Sequence, residues 1–213
     1  MDIYFENVMP HPLASIDHGK ESIWGNQTHL KAGKKILLNA SSGKGKSTFA
    51  MSVFGIRSDY NGTIRYNDRD IKTYSVDDWV DVRQTKISTV FQDLQLFPNL
   101  TVRENLMLKN NLTNFKTEAE MFALIDRFGI AFKWDEKCGL LSMGQQQRVA
   151  IVRSLCQPFR WLILDEPFSH LDENNSRLCL QAIAEECDAQ KAGFVLTSLD
   201  DDTRFPYDYE LKL

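Results

Sequence analysis

The stretch "NASSGKGKST", residues 39–48, places two glycines, two lysines and four hydroxyl side chains in ten positions. It follows "KKILL", residues 34–38, whose apolar run is short enough for a buried strand. It leads into "FAMSVF", residues 49–54, where apolar residues recur at helical steps. Strand, tight turn and helix in that order bring successive backbone N–H groups and a helix N-terminus onto one anion. Gly43 and Gly45 let the backbone approach where a Cβ would collide, and Lys46 adds a point charge in the first helical turn.

The pattern matches the phosphate-binding template GxxxxGK[ST] except at its first position, where Ala40 stands. On this reading the amides of Ser41, Ser42, Gly43, Lys44 and Gly45 wrap the terminal phosphates of a nucleotide. Lys46 reaches the β and γ phosphates, Ser47 offers its hydroxyl to Mg²⁺, and Thr48 caps the helix or contacts the α phosphate. Ala40 is tolerable there if its φ is negative. A loop that merely caps a helix has the same composition, so the segments around it must decide.

Outward along the chain, "WLILDEP", residues 161–167, is an apolar strand that ends in Asp165 and Glu166. Ligands of parallel sheets gather at such C-terminal strand ends. Asp165 is suited to holding Mg²⁺ through its water shell, and Glu166 to orienting or deprotonating an attacking water. Periodicity predicts strands at 3–9, 35–39, 62–67, 86–91, 161–164 and 194–197. Helices are expected at 46–54, 102–109, 117–128, 143–156 and 173–190. Alternating strands and helices imply a parallel sheet covered on both faces. The N-terminal third is richer in strand, and "YNGTIRYNDRDI", residues 60–71, reads as part of an antiparallel hairpin with turns at Asn61-Gly62 and Asn67-Asp68. The middle, 94–155, is mainly helical.

The bulk composition narrows the class. A chain of 213 residues with 43% hydrophobic content buries roughly 70% of its unfolded surface, enough for one substantial core. No apolar run approaches the roughly 18 residues of a membrane helix. The start, "MDIYFENV", lacks the basic-then-apolar pattern of a secretory leader, and a cytoplasmic location is the expectation. Cys138, Cys156, Cys179 and Cys187 show neither CxxC spacing nor a zinc partner among the histidines, and read as reduced thiols. A net charge of −4 weighs against a general nucleic-acid binder. The acidic run 200–202 reads as a solvated turn.

At "LSMGQQQRVAIVRSL", residues 141–155, a second anion-seeking helix start appears, with the Ser142 hydroxyl and the Gly144 amide at its opening. This segment resembles the LSGGQ signature of the ABC (ATP-binding cassette) ATPases. The resemblance runs in order through nearly the whole chain: the phosphate loop at Lys46, "VFQD" with Gln92, the signature at Ser142, "LILDEP" with Asp165 and "SHLD" with Asp172. The stretch "FQDLQLFPNLTVRENL", residues 91–106, is especially similar to the lipoprotein-export, macrolide-export and cell-division branch. The resemblance implies an α/β P-loop NTPase fold: an ABC-type ATPase core with an antiparallel β subdomain and a helical signature subdomain, in one domain spanning 1–213. It further implies ATP and Mg²⁺ as cofactors, with Gln92 on the metal or the attacking water. Two cassettes would pair head to tail, as a homodimer or with a related cassette. Each ATP would lie between one chain's phosphate loop and the other's Ser142 and Gly144, with Ser169 and Asp172 at the interface. Asp172 equally reads as the N-cap of the following helix. A separate transmembrane subunit would hold the protein at the inner membrane and carry the transport path.

Three departures qualify this implied activity. Ser198, in "FVLTSLD", stands where the family has a histidine on the γ phosphate. A hydroxyl still bonds to phosphate, but slower hydrolysis is expected. Met143 replaces the signature's first glycine. The family's adenine-stacking aromatic after the first strand is missing from "VMPHPLAS", residues 8–15, where His11 is the ring left for it. His170 stands where the family commonly has alanine, and reads most simply as an exposed loop histidine. Leu94, Leu96, Phe97, Pro98 and Leu100 form an apolar cluster that either marks a partner site or packs beneath the helical lobe. The alternative to a transport ATPase is a nucleotide-gated dimerisation module with little turnover. A cassette of translation or DNA repair fits less well, because the chain has no room for tandem cassettes or a long coiled coil.

Overall fold

A computed structural model describes residues 1–199, 202 and 204–213. Its centre is a parallel five-stranded sheet in the order β6-β7-β8-β3-β9, formed by β3 (Lys35–Asn39), β6 (Ile87–Val90), β7 (Trp161–Asp165), β8 (Gly193–Ser198) and β9 (Tyr209–Lys212). A second, antiparallel sheet in the order β2-β1-β4-β5 is built from β1 (Ile3–Pro10), β2 (Gln27–Leu30), β4 (Tyr60–Tyr66) and β5 (Arg69–Asp70). The helices are α1 (Lys46–Val53), α2 (Val76–Asp81), α3 (Val102–Asn110), α4 (Glu118–Arg127), α5 (Met143–Ser154) and α6 (Glu173–Gln190).

Side chains alternate across a strand, and the parallel sheet uses both faces. Leu37, Leu162, Leu164, Phe194 and Leu196 join a core with α3, α4, α5 and α6. Ile36, Leu38, Trp161, Ile163 and Val195 join the opposite core, with Phe49 and Val53 of α1 and Ile3, Phe5 and Ile64 of the antiparallel sheet. Strands buried on both faces read as continuous apolar runs, which is why "KKILL" and "WLILD" stand out in the sequence.

The expected strands and helices are present with ends shifted by one or two residues, and β2, β5, β9 and α2 are additional. These are short elements: α2 has six residues and no buried side chain, so it carries no periodic signal. It is held by a capping box between Ser75 and Asp78. The Asn67-Asp68 turn joins β4 to β5, as expected. Asn61-Gly62 is not a turn; both residues lie inside β4, opposite a register shift in β1. Gly62 is needed there because its φ is +80° and a Cβ would sit 2.3 Å from the Asn7 carbonyl oxygen.

Capping boxes open α3 at Thr101 and Glu104, α4 at Thr117 and Glu120, and α5 at Ser142 and Gln145. The apolar cluster between β6 and α3 is divided. Leu94 is buried against the helices and Leu96 packs beside it, while Phe97 is 54% exposed. All four cysteines are free and buried. Burial pushes the thiols of Cys156, Cys179 and Cys187 up to about 12, which leaves them unreactive. Asp202 corrects the reading of a solvated acidic turn: it is buried and paired with Arg204. Asp200 and Asp201 lie outside the described residues. No helix of the described residues is long and apolar enough to cross a membrane.

Candidate functional site

Because β3, β6, β7 and β8 run parallel, their C-terminal ends emerge along one edge of the sheet. The residues leaving that edge are the phosphate loop after Asn39, Gln92 after β6, Asp165 ending β7 and Glu166 just after it, and Ser198 ending β8.

The loop from Ala40 to Gly45 is supported from behind. Ala40 is absent from the residues with positive φ, so the missing first glycine costs no backbone strain. Gly43 has φ +79° and Gly45 φ +104°, the left-handed region that glycine enters without penalty. A Cβ on Gly45 would lie 2.4 Å from Leu13 Cδ1 and 3.2 Å from Trp24 Nε1. The same indole N–H donates to the Lys44 carbonyl at 3.1 Å, and the Lys44 ammonium donates to the Asp17 carbonyl. Leu13, Asp17 and Trp24 thus fix the loop's outer wall. Trp24 is 2% exposed and takes no part in base stacking from that position.

Lys46 is buried, and its ammonium donates to the carbonyls of Ala40 at 2.8 Å and Ser41 at 3.4 Å. It also lies 3.2 Å from Glu166 Oε1, so the loop lysine and the strand-end carboxylate meet. Glu166 has φ 49°, a conformation a non-glycine residue adopts at a cost of about 1–3 kcal/mol. The neighbouring Asp165 is 1% exposed. Burial raises its carboxyl above the usual range, opposed by hydrogen bonds from Ser47 and Thr197.

Thr197 joins the two acids. Its Oγ1 accepts from the Glu166 N–H at 3.1 Å and donates to Asp165 Oδ1 at 2.9 Å. Register explains this, since Asp165 pairs with Thr197 across β7 and β8. No spacing in the sequence marks Thr197. Gln147 and Trp24 were likewise invisible, because both act through contacts between distant segments.

A cavity of about 1140 Å³ opens beside the edge and is lined by Ser47, Gln92, Asp165 and His170, with Phe97, Lys109 and Arg153 farther along its wall. Glu166 and Ser198 line a smaller recess with Ser169 and Arg204. The Ser47 hydroxyl, the Gln92 amide oxygen and the Asp165 carboxylate are hard oxygen donors of the kind Mg²⁺ takes alongside phosphate oxygens and water. Among the described residues, no cluster of three or more His, Cys, Asp or Glu could hold a metal alone. A single carboxylate aided by hydroxyl and amide oxygens suits an ion delivered with a nucleotide.

The signature residues occupy different positions. Ser142, Gly144 and Asp172 line neither recess. Ser142 N-caps α5 by accepting from the Gln145 N–H, and Met143 is 49% exposed. Asp172 N-caps α6, where the Asn175 amide at 2.8 Å holds its carboxyl below the usual range. His11 is exposed and bonded to Asn61.

Comparison with known proteins assigns the class. The family model described as ABC transporter matches residues 25–169, more than half of the chain, and the chain belongs to that family. It is 31% identical to an uncharacterized ABC transporter ATP-binding protein, Rv0073 of Mycobacterium tuberculosis, over 81% of this chain and 53% of that protein. It is 28% identical to the lipoprotein-releasing system ATP-binding protein LolD of Saccharophagus degradans, over 84% of this chain and 80% of the relative. The chain therefore spans about half the length of the mycobacterial relative and most of LolD. Its fold superposes on the dimeric bacterial ABC transporter cassette MJ0796 with a TM-score of 0.82 at 23% identity, covering 99% of this chain and 94% of that one.

Proposed function

We propose that this chain is an ATP-binding, ATP-hydrolysing subunit that pairs around two Mg·ATP and drives a separate membrane protein. One observation carries the reading: a buried lysine, a strained glutamate and three oxygen donors for a metal converge at the C-terminal edge of a parallel sheet. The amides from Ser41 to Thr48 bind the terminal phosphates. Lys46 neutralises charge on the γ phosphate, moving from the Ala40 and Ser41 carbonyls it contacts in this structure. Ser47, Gln92 and Asp165 would hold the Mg²⁺ that comes with the nucleotide, and that ion would supply positive charge to the phosphoryl oxygens. Glu166 orients the attacking water, and Thr197 keeps its backbone in the strained turn. Ser142 and Gly144 stand clear of their own chain's recesses, which suits a role across a head-to-tail dimer. In this reading a separate membrane subunit carries the transport path and its specificity, and the chain sits at the inner membrane's cytoplasmic face through it. The domain reading is one cassette, with 94–155 as its helical part.

Phosphate release by the purified protein, alone and with its membrane partner, tests this. Glu166→Gln is expected to lower turnover by about 100-fold or more, and Lys46→Ala to abolish nucleotide-dependent dimerisation. A wild type no faster than Glu166→Gln in both settings would leave a nucleotide-gated dimerisation module. Unchanged dimerisation of Lys46→Ala would overturn the assignment of the phosphate loop.

A further inference from the structure

The loop after β7 crosses the first turns of α5, and a buried glutamine fastens it there. Gln147 is 2% exposed. Its Oε1 accepts from the His170 N–H at 3.0 Å, and its Nε2 donates to Ser169 Oγ at 2.9 Å. Gly144 supports the same turn from below, where a Cβ would meet the His170 carbonyl oxygen at 2.8 Å. His170 therefore has an exposed side chain on a fixed backbone. Its Nδ1 lies 2.9 Å from Ser169 Oγ. That oxygen also accepts from Gln147, and in the tautomer whose Nδ1 takes the Ser169 hydroxyl hydrogen the ring presents its N–H at Nε2.

His170 lines the cavity that Ser47, Gln92 and Asp165 also line. His11, His18 and His29 do not line it, and bond instead to Asn61, the Leu13 carbonyl and Asp2. Ser47, Gln92 and Asp165 offer oxygens suited to a metal, whereas phosphate oxygens require donors. An N–H of His170 in the same cavity supplies one. We propose that His170 Nε2–H donates to the γ phosphate of the nucleotide bound to its own chain's phosphate loop, so that this loop distinguishes a triphosphate from a diphosphate. The assignment rests on the reading that Lys46 holds a nucleotide.

Equilibrium binding of AMPPNP and of ADP, both with Mg²⁺, tests it in the full-length chain. His170→Ala is expected to weaken AMPPNP about tenfold or more, the scale of one hydrogen bond to a charged group, with ADP affinity within about twofold of wild type. His170→Gln, whose amide nitrogen reaches the place of Nε2, should keep AMPPNP within about threefold. His170→Asn, whose nitrogen matches Nδ1 instead, should lose as much as alanine. Parallel weakening of both nucleotides, or no change in their ratio, overturns the proposal in favour of a structural role. If His170→Ala does not fold, equal affinities of the Gln and Asn variants for AMPPNP overturn it. A wild type that binds neither nucleotide refutes the nucleotide reading itself, and the His170 assignment with it.

Discussion

At the scale of single residues, the site depends on one hydroxyl that belongs to no motif. Thr197 Oγ1 is acceptor for the Glu166 amide and donor to Asp165 Oδ1, and it is 1% exposed. Replacing it with valine keeps the volume but leaves a buried amide and a buried carboxylate oxygen short of a partner. Thr197→Val is expected to cost about 1–3 kcal/mol in urea unfolding, and to lower phosphate release about tenfold while the KM for ATP changes little. A variant as stable and active as wild type would show that Thr197 only fills space. The site candidates Lys46, Asp165 and Glu166 were legible because a strand and the loop that follows it mark them in sequence. Thr197 was not, because its partners lie 31 and 32 residues away.

At the scale of elements, the helical region shows how a polar residue organises a loop. Asn105 of α3 is fully buried. It accepts from the Phe97 N–H at 2.9 Å and donates to the carbonyls of Phe97, Leu100 and Thr101 at 3.0 to 3.3 Å. This side chain sets the course of the apolar loop along the cavity wall, and it explains how Phe97 stays exposed while Leu94 is buried. Asn105→Ala should destabilise the protein by about 2–3 kcal/mol, since several buried backbone groups lose their partner together. Amide exchange at residues 97–101 should quicken more than exchange in α5; uniform quickening would contradict a local role. Helix positions were readable from periodicity and capping residues. The missed elements, β2, β5, β9 and α2, are four, two, four and six residues long, too short for a period to emerge.

At the scale of the molecule, the packing of α3 against α5 brings Lys109 beside Arg153. Arg153 spends its guanidinium on the Leu94 and Gln95 carbonyls, which leaves its charge close to the lysine. Burial foremost, and then that charge, pushes the Lys109 amino group down to about 8. The folded value lies below the unfolded one, so the protonated lysine destabilises the fold. That cost is complete below about pH 8 and fades as pH rises toward the ordinary lysine value of about 10.5. Lys109→Met should therefore stabilise the protein by about 1–3 kcal/mol at pH 7 and flatten the rise in stability between pH 8 and 10. Urea midpoints at both pH values check this, and a methionine variant no more stable at pH 7 would refute it.

The sequence by itself determined the local content: a glycine-rich loop after an apolar strand, acids at a strand end, a capped signature helix and the family these belong to. Such features depend on neighbours within a few residues, and spacing records them. Only the tertiary structure decided that Thr197 faces Asp165, that Gln147 fastens the His170 turn, and that Leu13 and Trp24 close over Gly45. Strand register and helix packing fix those meetings, and they join segments whose separation in the chain carries no period.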